Sequence, residues 1–157
     1  MTNDENQQYI SADKLEDLKK ELQDLKQNKI PDLANRIDEA KQLGDLSENA
    51  EYHAAREDMA WAQSRVKELE NIIDSSVVIT ETGSSDGIIE VGSNIKVTLN
   101  GVSKEYKIVG QQEADPSSGK ISNESPLGNA FLGKKEGDEV EVEVPSGLQL
   151  YKIIEVN

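Results

Sequence analysis

The spacing of apolar residues in the first half of the chain restricts its fold more than any other feature. Leucines follow one another at intervals of three, four and three residues from Leu15 to Leu25. A second series, from Ala55 to Ile73, keeps intervals of four and three without interruption. Repeats of this kind are typical of helices that bury one stripe against another helix. The first half therefore predicts two long amphipathic helices, whose seam residues are Leu15, Leu18, Leu22, Leu25, Ile30, Leu33, Ile37 and Ala40, followed by Ala55, Met59, Ala62, Val66, Leu69 and Ile73.

A short turn, "GDLSEN" (44–49), separates the two helices, so they can bury their stripes only by folding back on each other. After a polar leader over 1–10, Ser11 is a suitable N-cap, and we expect arms over roughly 11–43 and 48–74. At a rise of about 1.5 Å per residue these arms are about 50 and 40 Å long. The sequence therefore predicts an antiparallel coiled-coil rod with "GDLSEN" at its tip, too thin to enclose a ligand.

One irregularity interrupts the seam of the first helix. The step from Leu25 to Ile30 is five residues long, so the apolar stripe slips by one residue. Pro31 lies at this step, and a proline removes one intrahelical hydrogen bond. We therefore expect a kink or a locally unwound turn here.

The second half of the chain has short apolar runs separated by turn residues. Asn-Gly at 100–101 tolerates the positive φ of a tight hairpin, and "DEVEVEV" (138–144) alternates charge with valine as a half-solvated strand does. "SPLGNAFLG" (125–133) predicts a single short helix. The chain is therefore predicted to be an α+β protein, with a coiled-coil hairpin over 1–76 and a small antiparallel-sheet domain over 77–157.

Composition excludes several classes of function. The chain has no cysteine, which excludes disulfide scaffolds, zinc-thiolate sites and thiol nucleophiles. Its net charge of −14 opposes autonomous binding to a phosphate backbone. His53 is the only histidine, so no catalytic triad is proposed, and no phosphate-binding loop is present. Without an apolar span or a signal-peptide pattern, we expect a cytoplasmic protein with no membrane partner.

Carboxylates are concentrated in the predicted turn, over 44–52. Asp45 and Glu48 are three residues apart, a spacing that fits a capping box at the start of the second helix. The same two carboxylates could instead help to hold Mg²⁺, which uses one or two protein carboxylates and takes its other ligands from water and phosphate. Two carboxylates do not make a complete catalytic magnesium site, so any such site would have to be completed by another protein.

Three basic residues follow the turn on the second helix, and they also have two interpretations. They could form a small positive patch that meets an RNA end or an acidic surface. Alternatively, they could pair with carboxylates one helical turn away. The residues are Arg56, which lies nearest the turn, Arg65 and Lys67.

Two segments carry a resemblance to a known family. "GDLSENAEYHAARE" (44–57), at the tip of a two-helix rod, and "SPLGNAFLG" (125–133) closely resemble the Gre family of bacterial transcript cleavage factors. The resemblance covers essentially the whole chain and implies that the second domain is FKBP-like. The strong acidity is more similar to the GreA type than to the more basic GreB type.

The resemblance implies a mechanism in which RNA polymerase performs the chemistry and this protein is not an enzyme by itself. The second domain would dock at the rim of the polymerase secondary channel, and the coiled coil would reach the active centre. There Asp45 and Glu48 would help to bind a shared Mg²⁺ and orient the attacking water, so that backtracked RNA is cleaved and a new 3′ end is freed. No cofactor is expected to bind stably to the isolated protein, which is expected to be a monomer.

The resemblance also assigns supporting roles to residues outside the two acids. Asn49, Glu51 and Tyr52 would shape the tip, and Arg56 would contact the nascent RNA near its 3′ end. Ser125 and Pro126 would face the polymerase rim, although a proline in the first turn of a helix is also favourable geometry. Ser47 departs from the family pattern, in which this position is often basic.

Three other functions remain open on the sequence. The protein could bind the channel as an inhibitor that does not induce cleavage. It could also be a coiled-coil, chaperone-like binding module or a self-sufficient nuclease, although the acidic surface and the incomplete metal site argue against the nuclease.

Overall fold

A computed structural model describes residues 7–80 and 86–157, and these divide into two units. The first unit, Leu15–Ser75, is helical. The second contains the described residues up to Lys14 together with those from Ser76 onward, and it holds all the strands. The chain is therefore a mixed α+β protein with an N-terminal helical hairpin, as the sequence predicts. The start of the chain differs from the predicted division, because residues 7–14 pack with the strands.

The helical hairpin has an interrupted first arm and a continuous second arm. The first arm consists of α1 (Ala12–Asp24), a π-helical turn (Leu25–Lys29) and α2 (Ile30–Gln42), and the second arm is α3 (Ala50–Ser75). The predicted cap is confirmed, because the Ser11 hydroxyl accepts the Lys14 N–H at 3.2 Å. The buried seam consists of Leu18, Leu25, Leu33 and Ala40 on the first arm and Ala55, Ala62, Leu69 and Ile72 on the second. The last buried residue of α3 is Ile72, whereas the sequence pattern predicts Ile73.

The π-helical turn explains the five-residue step in the seam. Its last hydrogen bond runs from the N–H of Ile30 to the carbonyl of Leu25. A π turn contains one more residue than an α turn, so Leu33 remains on the buried face although it lies eight residues after Leu25. Pro31 is the second residue of α2, two residues after this turn, and a proline in the first turn of a helix costs less than one inside a regular α-helix. The predicted local unwinding is confirmed.

A two-stranded parallel sheet is formed by the segments that precede α1 and follow α3 in the chain. Strand β1 (Gln8–Ser11) pairs with β2 (Ser76–Ile79), and Ile10 of β1 is fully buried. The sequence predicts a polar leader before Ser11, and for residues 8–10 this is wrong. Four residues are too few to establish an alternating pattern, and the pairing partner is more than 60 residues away in the chain.

The main sheet has five strands, β3 (Asn94–Leu99), β4 (Val102–Val109), β5 (Lys120–Ser122), β6 (Glu139–Val144) and β7 (Gly147–Val156), in the spatial order β5-β4-β3-β7-β6. All neighbours are antiparallel except β4 and β5, which are parallel. The prediction of an antiparallel sheet is therefore wrong for this pair. The residues between the two strands include the short 3₁₀ turns Gln111–Glu113 and Pro116–Ser118. They form a crossover connection, which parallel strands require.

The predicted turn and helix of this unit are present. Asn100 and Gly101 have φ of 52° and 81° and form the two-residue connection between β3 and β4. The short helix α4 (Pro126–Phe131) packs on the sheet, and Phe131 is fully buried in the core. Among the described residues, no helix is long and apolar enough to cross a membrane.

Candidate functional site

The tip loop, which we define as Leu43–Asn49, connects α2 to α3 and is exposed over Leu43–Glu48. The N–H of Leu43 closes the end of α2 by donating to the carbonyl of Ala40 at 3.2 Å. Gly44 follows with φ of 127°, a backbone conformation that side chains with a Cβ rarely adopt. The glycine of the motif is therefore required by the backbone, since nothing lies within 4 Å of the position a Cβ would take.

Asn49 is the residue that begins α3 and holds it to the end of α2. Its side-chain oxygen accepts the N–H of Tyr52 at 3.0 Å, and its side-chain nitrogen donates to the carbonyl of Ala40 at 2.6 Å. The capping-box interpretation of Asp45 and Glu48 is therefore wrong, because α3 starts after both of them. Asparagine is one of the best N-cap residues, so the correct cap was available in the sequence.

Asp45 accepts two hydrogen bonds within the tip loop. Its Oδ1 accepts the backbone N–H of Ser47 at 3.0 Å and the Ser47 hydroxyl at 2.9 Å. These two bonds, the backbone one first, keep the pKa of Asp45 below its usual range. Glu48 is exposed and has no hydrogen bond or ion pair to any of the described residues. The loop thus presents two carboxylates that no cation of the described chain neutralises.

These carboxylates fit the donor chemistry of Mg²⁺, which binds oxygen ligands and uses only one or two from a protein. Within 7–80 and 86–157 there is no group of three or more His, Cys, Asp or Glu side chains that could hold a metal ion. Asp45 and Glu48 could therefore serve as two ligands, while the remaining ligands would have to come from outside this chain.

The third acid of the motif has a different environment. Oε1 of Glu51 accepts bonds from Nη2 and Nε of Arg36 on α2, at 2.9 and 3.3 Å. The same guanidinium donates through Nη1 to Asp58 at 3.1 Å, and these bonds, Glu51 first, raise the pKa of Arg36. No sequence pattern marks Arg36 as a tip residue, because its partners lie 15 and 22 residues later, on the opposite helix.

The basic residues of α3 fall into different environments. Arg65 donates through Nε and Nη2 to the carboxylate of Glu21 on α1, and through Nη1 to Glu68, so it is a structural residue of the hairpin. Arg56 lies over the ring of Tyr52, with its guanidinium carbon 5.7 Å from the ring centre. No carboxylate of the described residues pairs with Arg56, which leaves its guanidinium available to an external anion.

Ser125 and Pro126 begin helix α4 in the second unit. The hydroxyl of Ser125 accepts the N–H of Gly128 at 3.0 Å and donates to the carbonyl of Ser122 at 2.7 Å, so Ser125 is the N-cap. Pro126 occupies the first turn and is exposed. These contacts account for both residues structurally, and their role in docking stays a prediction.

Comparisons with known proteins agree with the resemblance over both halves of the chain. Residues 8–78 match the family described as "Transcription elongation factor, N-terminal", and residues 84–157 match "Transcription elongation factor, GreA/GreB, C-term". The chain belongs to the GreA/GreB family. Residues that this family match covers include the whole tip loop and helix α4.

Curated relatives within the GreA/GreB family are similar along most of the chain. Transcription elongation factor GreA of Clostridium acetobutylicum is 42% identical over 150 residues, which cover 94% of this chain and 93% of the relative. GreA of Oenococcus oeni is 44% identical over 138 residues, or 87% and 85% of the two chains. The protein is therefore a GreA-like transcription elongation factor.

Among solved structures, GreA factor homolog 1 (Gfh1) of Thermus thermophilus aligns with 96% of this chain and 99% of its own, at 22% identity and a TM-score of 0.45. The GreA/GreB factor of Nitrosomonas europaea aligns with 59% of this chain and 78% of its own, at 25% identity and a TM-score of 0.43.

Proposed function

We propose that this elongation factor acts in the bacterial cytoplasm by inserting its hairpin tip into the secondary channel of RNA polymerase. There it stimulates the polymerase's Mg²⁺-dependent cleavage of backtracked nascent RNA and so rescues arrested complexes. The observation that carries the proposal is the pair of exposed carboxylates, Asp45 and Glu48, which no described cation neutralises and which cannot complete a metal site alone.

The tip residues would each contribute a defined step. Ser47 lowers the pKa of Asp45, because its N–H and hydroxyl stabilise the charged form, and it fixes the orientation of that carboxylate. Asn49 fixes the loop between the two helices. Mg²⁺, when bound in the complex, supplies Lewis-acid activation of water and charge stabilisation. Asp45 and Glu48 would orient that water, and Arg56 would hold the RNA near its 3′ end.

The second unit would anchor the factor at the rim of the channel. Ser125 and Pro126 are our candidates for this contact, because Pro126 is exposed at the start of a rigidly capped helix. Their replacement should weaken binding to the polymerase without changing cleavage at saturating factor.

The decisive experiment measures RNA cleavage in a stalled, backtracked polymerase complex with the factor added. Asp45→Asn and Glu48→Gln should each reduce stimulated cleavage by about 100-fold or more, because losing charge stabilisation at a metal is worth several kcal/mol and each 1.4 kcal/mol is tenfold. Polymerase binding should stay within about twofold of wild type, since these side chains have no role in anchoring. Glu57→Gln, which removes an exposed carboxylate from α3, is the matched control and should cleave normally.

The alternatives give different results in the same assay. Full stimulation by both tip variants would refute the proposed mechanism. Slowed RNA synthesis without shortened transcripts would identify a channel-binding inhibitor, and hydrolysis of RNA by the isolated protein would identify a nuclease. Binding to unfolded clients without polymerase would identify a chaperone-like module.

A further inference from the structure

The apolar core of the hairpin becomes thin next to the tip. Ala40 is the last buried residue of α2, and Ala55 is the first buried residue of α3. Leu43 and Leu46, the two leucines of the tip loop, are 78% and 39% exposed. Alanine side chains bury little apolar area, so packing alone holds the two helices weakly at this end. Polar contacts must therefore determine how α3 leaves the tip.

Arg36 makes polar contacts between α2 and α3 close to the tip. It lies one helical turn before Ala40. Its planar guanidinium donates hydrogen bonds to the carboxylates of Glu51 and Asp58, both on α3. Glu51 lies in the first turn of α3, directly after the tip loop. A guanidinium that binds two groups through separate nitrogens restricts rotation as well as separation of the helices.

Arg36 also gives the three acids Asp45, Glu48 and Glu51 different electrostatic environments. Its guanidinium pairs with Glu51, whereas Asp45 and Glu48 contact no cation among the described residues. The other cross-helix ion pairs among the described residues, Lys26 with Glu70 and Arg65 with Glu21, lie toward the opposite end of the hairpin. The contact of Arg36 is thus the described cross-helix ion pair nearest to the tip.

We propose that Arg36 is a positioning residue for the tip carboxylates. By holding the first turn of α3 against α2, it sets where the tip loop ends and hence where Asp45 and Glu48 are presented. This inference rests on the proposed function for its effect on cleavage, but its structural part can be measured on the isolated protein. Arg36 does not touch RNA or metal in this proposal.

The test compares Arg36→Ala with Arg65→Ala, which removes a similar forked ion pair far from the tip. Amide hydrogen exchange is measured at Tyr52 and His53, whose N–H groups donate to the side chain and the carbonyl of Asn49. Arg36→Ala should speed exchange at both amides by about two- to fivefold, the range expected for exposed ion pairs. Arg65→Ala should leave both rates unchanged.

Cleavage in a backtracked complex supplies the second readout. At saturating factor, Arg36→Ala should lower the maximal rate by at least about fivefold, because misplacing a reacting group by about 1 Å can cost 100-fold. The factor concentration that gives half-maximal cleavage should stay within about twofold. Arg36→Lys keeps the charge but not the fork, and it should give an intermediate rate.

Each outcome decides a separate point. Unchanged exchange at Tyr52 and His53 in Arg36→Ala would overturn the positioning role, and so would full activity of Arg36→Lys, since charge alone would then suffice. If the wild-type factor fails to stimulate cleavage, the proposed function fails, while the exchange rates still decide whether Arg36 positions the tip.

Discussion

Replacing Asn49 tests how the hairpin tip is held together. The Asn49 side chain makes two bonds, one that caps α3 through the N–H of Tyr52 and one that reaches back to the carbonyl of Ala40. Loss of an N-cap costs about 1 kcal/mol, and loss of a typical hydrogen bond costs about another 1 kcal/mol. Asn49→Ala should therefore lower the unfolding free energy of the hairpin by about 2 kcal/mol.

Asn49→Asp separates the two bonds. Aspartate can still accept the N–H of Tyr52, but it cannot donate to the carbonyl of Ala40. In this variant the unfolding free energy of the hairpin should therefore fall by only about 1 kcal/mol. Asn71→Ala is a matched control, because Asn71 is an exposed asparagine of the same helix. It should be no less stable than wild type, since alanine has the higher helix propensity.

Urea unfolding followed by far-UV circular dichroism at 222 nm is a suitable assay, because the hairpin contains nearly all the described helix. A unit of this size has an m value of about 1 kcal/mol per M urea, so the midpoint should fall by about 2 M for Asn49→Ala and about 1 M for Asn49→Asp. A midpoint for Asn49→Ala equal to that of wild type would refute the capping role. Equal midpoints for Asn49→Asp and wild type would refute the contribution of the Ala40 bond.

Three further predictions follow from other parts of the structure. Deleting Gln27 converts the π turn to an α turn and places Pro31 inside a regular helix, which should cost about 3 kcal/mol in urea unfolding; adding Pro31→Ala should restore most of it. Gly110→Ala places a Cβ 1.6 Å from a backbone oxygen of β1 and should destabilise the second unit by about 3 kcal/mol, measured by its thermal unfolding. Ser47→Ala removes one of the two bonds that lower the pKa of Asp45, so a carboxyl NMR titration should find that pKa raised toward the ordinary value. Because the wild-type pKa is lowered, the stability contributed by ionised Asp45 is present above the ordinary pKa and is lost as the pH falls through the lowered one.

Local patterns in the sequence predict much of the fold. The heptad spacing predicts the hairpin, and the five-residue step before Pro31 predicts the irregular turn, because both depend on residues within one or two helical turns. The Asn-Gly turn and the alternation of β6 are equally local signals. Strand β1 is not predicted, because its pairing with β2 joins two distant segments and no short-range pattern marks such a pair.

The candidate site also has features that the sequence predicts and features that only the structure shows. Its residues can be selected from the sequence, because Asp45 and Glu48 are recognisable by their type, their spacing and the motif around them. Their local roles could not be assigned, since Asp45-x-x-Glu48 fits a capping box as well as it fits an exposed loop. Only the start of α3 at Ala50 distinguishes these two cases.

The sequence alone therefore determined the hairpin, the position of the acidic turn and the family to which the chain belongs, since each depends on residue order within short segments. Tertiary structure decided that Asn49 closes the tip, that Arg36 pairs with Glu51 across the hairpin, and that β4 and β5 run parallel. The physical reason is that these contacts join residues on different elements. Their formation depends on how the elements pack, and the same side chains could find other partners in a different packing.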